Sequence, residues 1–80
     1  MRIKVHTVDS QPSLMKVLHD KAVHDINQGF DCVATADDKM AQLGFVEGMV
    51  ALARNIGLIS YAEDLEFTYR RHHMQEEVEE

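Results

Sequence analysis

Histidines with a carboxylate four positions away are the residues of this sequence best suited to metal chemistry. The three pairs are His72 with Glu76, His73 with Glu77, and Asp20 with His24. This spacing places both side chains of a pair on one face of a helix. A pair supplies only two ligands, whereas a structural zinc ion takes four, usually including cysteine. The basic run 70–73 also suits the negative end of a helix. We therefore expect no metal ion and no other cofactor.

Cys32, the single cysteine of the chain, is the candidate catalytic nucleophile. It would act as a thiolate, with a histidine as its base. No motif fixes that geometry, and Cys32 lies beside Val33 in an apolar stretch typical of a small buried residue. Eighty residues also leave little volume for a substrate pocket of about 300 Å³ or more. We expect a protein that is not an enzyme and has no catalytic residues. The single cysteine excludes an internal disulfide and fits a reducing compartment.

The net charge of −6 opposes general attraction to nucleic acids and to anionic membranes. The first six residues carry charges where a signal peptide needs an apolar core. No apolar run approaches the roughly 20 residues that cross a bilayer. A cytoplasmic protein without a membrane partner is expected.

A nucleic-acid-binding regulator is the alternative function, with Arg70 and Arg71 of a dimer contacting phosphates. Ala53 and Gly57 have the spacing of the alanine and turn glycine in a helix-turn-helix motif. The likeness then fails, because Glu63 falls where the second helix needs a buried apolar residue and would also repel phosphates. Binding to nucleic acid is therefore not the favoured function.

The first part of the chain predicts a strand, a helix and a possible second strand. Residues 2–8 alternate between polar and apolar, as a half-buried strand does. The sequence before Pro12 suits a helix start, and apolar residues recur at helical spacing as far as Ile26. This predicts a helix over 12–28, ended by Gly29 in the left-handed conformation. The apolar segment 30–34 is either a strand or a buried connection.

The second part predicts a helical hairpin. Thr35 suits the cap of a helix over 36–55, and residues 56–59 around Gly57 break that helix. Ser60 and Glu63 form a capping box, in which each side chain accepts a hydrogen bond from the other's backbone N–H. A third helix follows over 61–74. The fold class is mainly α, with one domain over 1–75 and an acidic tail over 76–80.

The helix over 36–55 carries apolar residues around most of its circumference, which predicts burial on most sides. A small core gives a short chain little stability, and no disulfide reinforces this one. A strip of Ala41, Gly44, Gly48 and Ala51 would let another helix approach closely. That helix could belong to the same chain or to a second copy, and the burial argument favours a homodimer. The expected interface consists of Met40, Ala41, Gly44, Phe45, Gly48, Met49, Ala51 and Leu52.

The run 44–66 joins a glycine-bearing apolar helix, the segment RNIGLIS and a capped acidic helix. In this it resembles the helical hairpins of small accessory proteins of bacteriophages, prophages and plasmids. The resemblance implies an interaction protein that acts on a host or phage factor, and it carries over no catalytic residue. The favoured function is thus a non-catalytic interaction or regulatory protein that acts as a homodimer on an unidentified protein.

Overall fold

A computed structural model of the chain describes the backbone of residues 2–79 and the side chains of residues 14–79. It contains three α-helices, α1 (Arg2–Asp31), α2 (Lys39–Asn55) and α3 (Tyr61–Glu79), and a short 3-10 helix at Cys32–Thr35. The prediction of a mainly helical fold with three helices is confirmed. α2 packs against both α1 and α3, so it is the central element.

Neither predicted strand is present in the part of the chain that the structure describes. The segment 2–8 belongs to α1, of which only the backbone is described there. The segment 30–34 continues α1 into the 3-10 helix, because Ile26, Phe30 and Val33 keep a helical spacing and all three are buried. A strand without a neighbour leaves its backbone groups unpaired, whereas a helix pairs its own. The first helix is therefore longer than the predicted 12–28 at both ends.

Gly29 lies inside α1 and does not end it, contrary to the prediction. It does not have a positive φ, and a Cβ atom at this position would lie 2.8 Å from Val46 Cγ2. Gln42 Nε2 donates a hydrogen bond to the Gly29 carbonyl oxygen at 2.9 Å. The missing side chain therefore lets α2 approach α1 closely at Val46, which is fully buried.

α2 begins three residues later than predicted, at Lys39, and its cap is Asp38 rather than Thr35. The Asp38 carboxylate accepts a hydrogen bond from the Ala41 backbone N–H at 3.0 Å. Thr35 instead lies in the 3-10 helix, where its hydroxyl donates to the Cys32 carbonyl oxygen. Both residue types are good caps, so local sequence alone did not choose between them.

The turn between α2 and α3 has the predicted helix stop and restart. Gly57 has a φ of +81°, and its N–H donates to the Arg54 carbonyl oxygen. The next N–H, of Leu58, donates to the Ala53 carbonyl oxygen at 2.8 Å, which completes a Schellman motif. Ser60 N–H then donates to Glu63 Oε1 at 2.8 Å, and Glu63 N–H donates to Ser60 Oγ at 3.1 Å. The predicted capping box is confirmed.

The core lies where the three helices meet. Its buried side chains are Ile26, Phe30, Val33, Leu43, Val46, Val50, Ala53, Ile59 and Phe67. The Phe30 and Phe67 rings stack with centroids 6.1 Å apart, joining α1 to α3. α3 passes the predicted end at residue 74 and includes most of the predicted acidic tail, because Met74 and Val78 pack against the core.

Candidate interaction surface

One side of α2 points away from the core and carries no charged residue. We call it the outward face. Its residues are all exposed and are Met40, Ala41, Gly44, Phe45, Gly48, Ala51, Leu52, Asn55 and the C-terminal capping residue Ile56. Phe45, Leu52 and Ile56 are each about 60% exposed. The four buried residues of α2, among them Val46 and Val50, lie on the opposite side of the helix. Apolar residues encircle α2, as the sequence indicated, but the part of the chain that the structure describes buries only one side.

Seven of the eight residues predicted at the interface belong to the outward face. Gly44 and Gly48 have no neighbouring atom within 4 Å of a Cβ position, so no described part of the chain packs against them. Among the described residues, Gly44 and Gly48 therefore take no part in a helix crossing within the chain. The eighth residue, Met49, is half-buried against the core. Ile56 and Asn55 extend the face beyond the predicted set by one helical turn.

An open apolar groove of about 250 Å³ runs between α1 and α2 beside the outward face. Leu18 and Ala22 line it from α1, and Met49, Leu52 and Ile56 line it from α2. Leu52 and Ile56 belong to both the groove and the outward face, so the two form one continuous apolar surface. Surfaces of this kind commonly mark sites of contact with other proteins.

α3 has a smaller apolar stripe on its surface, made of Tyr61, Leu65 and Tyr69, each more than half exposed. The spacing of four residues aligns them along the helix. The structure shows that this face is turned to solvent, while Phe67 supplies the buried contact. Tyrosine is enriched among the residues that dominate protein–protein binding.

Arg70 and Arg71, the candidate nucleic-acid contacts, are both engaged within the chain. Arg70 donates to the Asn27 side chain at 2.7 Å and to the Asp31 carboxylate at 3.1 Å. Its guanidinium also lies 4.6 Å from the centroid of the Phe30 ring. Arg71 donates to Gln75 and lies 3.6 Å from the Glu47 carboxylate. These contacts hold α3 against α1 and α2 rather than directing two free cations to solvent.

His19 joins α1 to the start of α3, a link that the sequence did not suggest. Its Nε2 atom lies 2.6 Å from Glu63 Oε2, and its Nδ1 atom lies 3.0 Å from Asp20. These hydrogen bonds, the one with Asp20 first, raise the pKa of the His19 ring above its usual value. The Ser60 backbone N–H and the His19 ring lower the pKa of the Glu63 carboxyl. Glu63 therefore caps α3 and binds α1 with one carboxylate.

The remaining candidate groups do not form a site within the described residues. No cluster of three or more histidine, cysteine or acidic side chains there is placed to hold a metal ion. The pairing of Asp20 with His24 is absent, since Asp20 contacts Lys16 and His19 while His24 contacts Asp25. Cys32 is exposed, contrary to the prediction of a core residue, because Val33 takes the buried position.

No helix among the described residues combines the length and the apolar character that crossing a membrane requires. No protein-family model matches this chain, and no curated protein or solved structure is significantly similar to it.

Proposed function

We propose that this chain is a non-catalytic interaction or regulatory protein of the cytoplasm that works as a homodimer on a second protein. The observation that carries the proposal is the outward face of α2, which is uncharged and open along the whole helix. Fully burying a leucine or phenylalanine side chain gains about 1.5–3 kcal/mol. Covering this face would therefore add substantially to the stability of a domain with a small core.

A further apolar surface is left for a target protein. The Tyr61, Leu65 and Tyr69 stripe is on α3, and the outward face is on α2. Exposed tyrosines supply large contact areas and a hydroxyl that hydrogen-bonds at low cost in conformational entropy. We propose this stripe as the contact for the target. The likeness to small accessory proteins of phages and plasmids supports a host or phage factor as that target.

Nucleic-acid binding is the less favoured function. Its two candidate contacts, Arg70 and Arg71, already pair with Asp31 and Glu47, so phosphate binding would compete with these ion pairs. The overall charge of −6 adds a repulsive field. A shift of DNA in a gel that weakens steeply with added salt would support this alternative instead.

Light scattering tests the homodimer. At micromolar concentration the parent protein should have about twice the chain mass of 9.1 kDa. Phe45→Glu places a charge on the outward face and should return the mass to that of one chain, because burying an unpaired carboxylate is costly. Gln28→Glu adds the same charge at an exposed position of α1 away from that face and should leave the dimer intact.

The same proteins, immobilised, test the target contact in a lysate of the native host. The parent and Gln28→Glu should capture a common protein that a Tyr69→Ala dimer does not. A parent protein that is monomeric at high micromolar concentration and melts cooperatively would contradict the homodimer.

A further inference from the structure

We propose that a second copy of the chain packs on the outward face with its α2 antiparallel, about a two-fold axis that crosses this face at the level of residue 46. This inference rests on the proposed homodimer and specifies how its two chains meet. The residue that covers the outward face is then always one of the second copy's α2. That helix has a single direction and a single register.

The charges at the two ends of α2 favour the antiparallel direction. Asp37 and Asp38 precede the helix, whereas Arg54 lies in its last turn. Lys39, at the first turn, is already committed to the carbonyl oxygens of Ala34 and Ala36. An antiparallel pair sets the acidic start of each helix beside the basic end of the other. A parallel pair would set like charges together, which is unfavourable.

Arg54 has capacity for such a partner. Its nearest carboxylate, of Asp64, lies 3.8 Å from the buried Nε atom, and its guanidinium lies 5.7 Å from the centroid of the Tyr61 ring. The side chain of Arg54 is nevertheless 42% exposed. The end of α2 thus carries a partly exposed cation whose one ion pair in the described residues is long.

The residues of the face fix the register. Ala41, Gly44, Gly48 and Ala51 are separated by three, four and three positions, a spacing that is the same in both directions along the helix. An antiparallel pair whose centre is level with residue 46 sets Ala41 opposite Ala51 of the partner subunit. It also sets Gly44 opposite Gly48 of the partner subunit. Backbones can approach closely there, because no atom of the described residues covers either glycine.

The large side chains fit the same arrangement. Leu52 and Ile56 lie on the edge of the face nearest α1, where they line the groove, and Phe45 shares that edge by helical spacing. The two-fold axis lies in the plane of the interface and is perpendicular to both helices. It therefore brings these edges of the two copies to the same side of the pair. The two Phe45 rings then meet near the axis, and the apolar strip becomes continuous with both grooves.

Disulfide trapping with Ala41→Cys and Ala51→Cys tests the direction and the register together. Both variants are made in a Cys32→Ala background, because Cys32 is exposed and would react itself. In the antiparallel pair, residue 41 and its own copy are about 15 Å apart along the helix, at 1.5 Å per residue. A disulfide needs Cα atoms within about 7 Å. Residues 41 and 51 of different chains lie opposite each other in the proposed pair and should fall within this limit.

With oxidised glutathione, an equimolar mixture of the two variants should yield at least about tenfold more linked dimer than either variant alone. Gln28→Cys in the same background is the control, and it should not link to either variant. Self-linking of Ala41→Cys and Ala51→Cys without mixed dimers would show a parallel pair and overturn the inference. A protein of dimer mass that links in no combination would also overturn it, and would leave the homodimer standing. A monomeric parent would overturn both proposals.

Discussion

Both sides of α2 carry mainly apolar residues, but one side is buried and the other is exposed to solvent. On the inner side, Leu43 and Val46 are almost wholly buried among residues of α1 and α3. On the outer side, Phe45 and Leu52 are more than half exposed, and no described atom lies within 4 Å of a Cβ position at Gly44 or Gly48. The apolar character of a residue therefore does not show whether its own chain or another molecule covers it. One side of this helix is explained by the fold of the chain, and the other is the face that we propose a second copy covers.

A matched pair of leucines tests the comparison with the largest expected effect. Leu43→Ala removes a buried side chain and should lower the free energy of unfolding by about 2–5 kcal/mol at every protein concentration. Leu52→Ala makes the same change on the outward face, and should weaken the dimer with little effect on the fold of each chain. Urea unfolding at several protein concentrations separates the two effects.

Equal losses of stability at Leu43 and Leu52, both independent of concentration, would break the comparison. They would mean that α2 is buried on both sides within a single chain.

A matched pair of glycines tests the comparison of the two sides of α2, with a smaller expected effect. Gly29→Ala puts a methyl group 2.8 Å from Val46 Cγ2, so crowding should cost about 1–3 kcal/mol unless α2 moves. Gly48→Ala meets open space in the single chain and gains helix propensity of up to about 1 kcal/mol. Thermal unfolding of both variants at low concentration, where chains are separate, should therefore give shifts of opposite sign. A Gly48→Ala variant that melts lower there would show a covered glycine.

The third prediction concerns pH and has the smallest effect, since His19 and Glu63 are both partly exposed to solvent. The pKa of His19 is raised in the folded chain, so its contribution is full below the unfolded value of about 6.5 and fades as pH rises through the raised value. The pKa of Glu63 is lowered, so its contribution is full above the unfolded value of about 4.3 and fades as pH falls through the lowered value. The melting temperature of the parent should exceed that of His19→Gln most clearly near pH 5–6.

This excess should shrink above pH 7. His24→Gln is the control, because the His24 ring contacts its neighbour Asp25 on the same helix rather than α3. An excess that is constant from pH 5 to 9 would show that the His19 contact does not depend on protonation.

The features that the sequence predicted correctly depend on neighbours in the chain. The stop at Gly57 and the restart at Ser60 and Glu63 are set by backbone conformation and hydrogen bonds within a few residues. The three helices follow from apolar periodicity, which is also local. Their ends were less well predicted, because Thr35 and Asp38 are both competent caps and the choice depends on how the 3-10 helix buries Val33.

The features that were missed depend on contacts between distant parts of the chain. Gly29 has the residue type of a helix end, and only the approach of Val46 explains its place inside α1. His19 and Glu63 are 44 positions apart, so no spacing rule could have joined them. The sequence also could not predict which side of α2 faces solvent. The apolar residues of α2 form two stripes, and their periodicity does not show which stripe the chain itself covers.

The position of Glu63 has a consequence for the order of folding. The Schellman turn and the capping box involve residues 53–63 alone, and contacts this close in sequence form early. We expect Ser60 to hold the Glu63 side chain before α1 docks, so that less rotamer entropy is lost when Glu63 binds His19. Local order in the hairpin would then lower the entropic cost of joining α3 to α1.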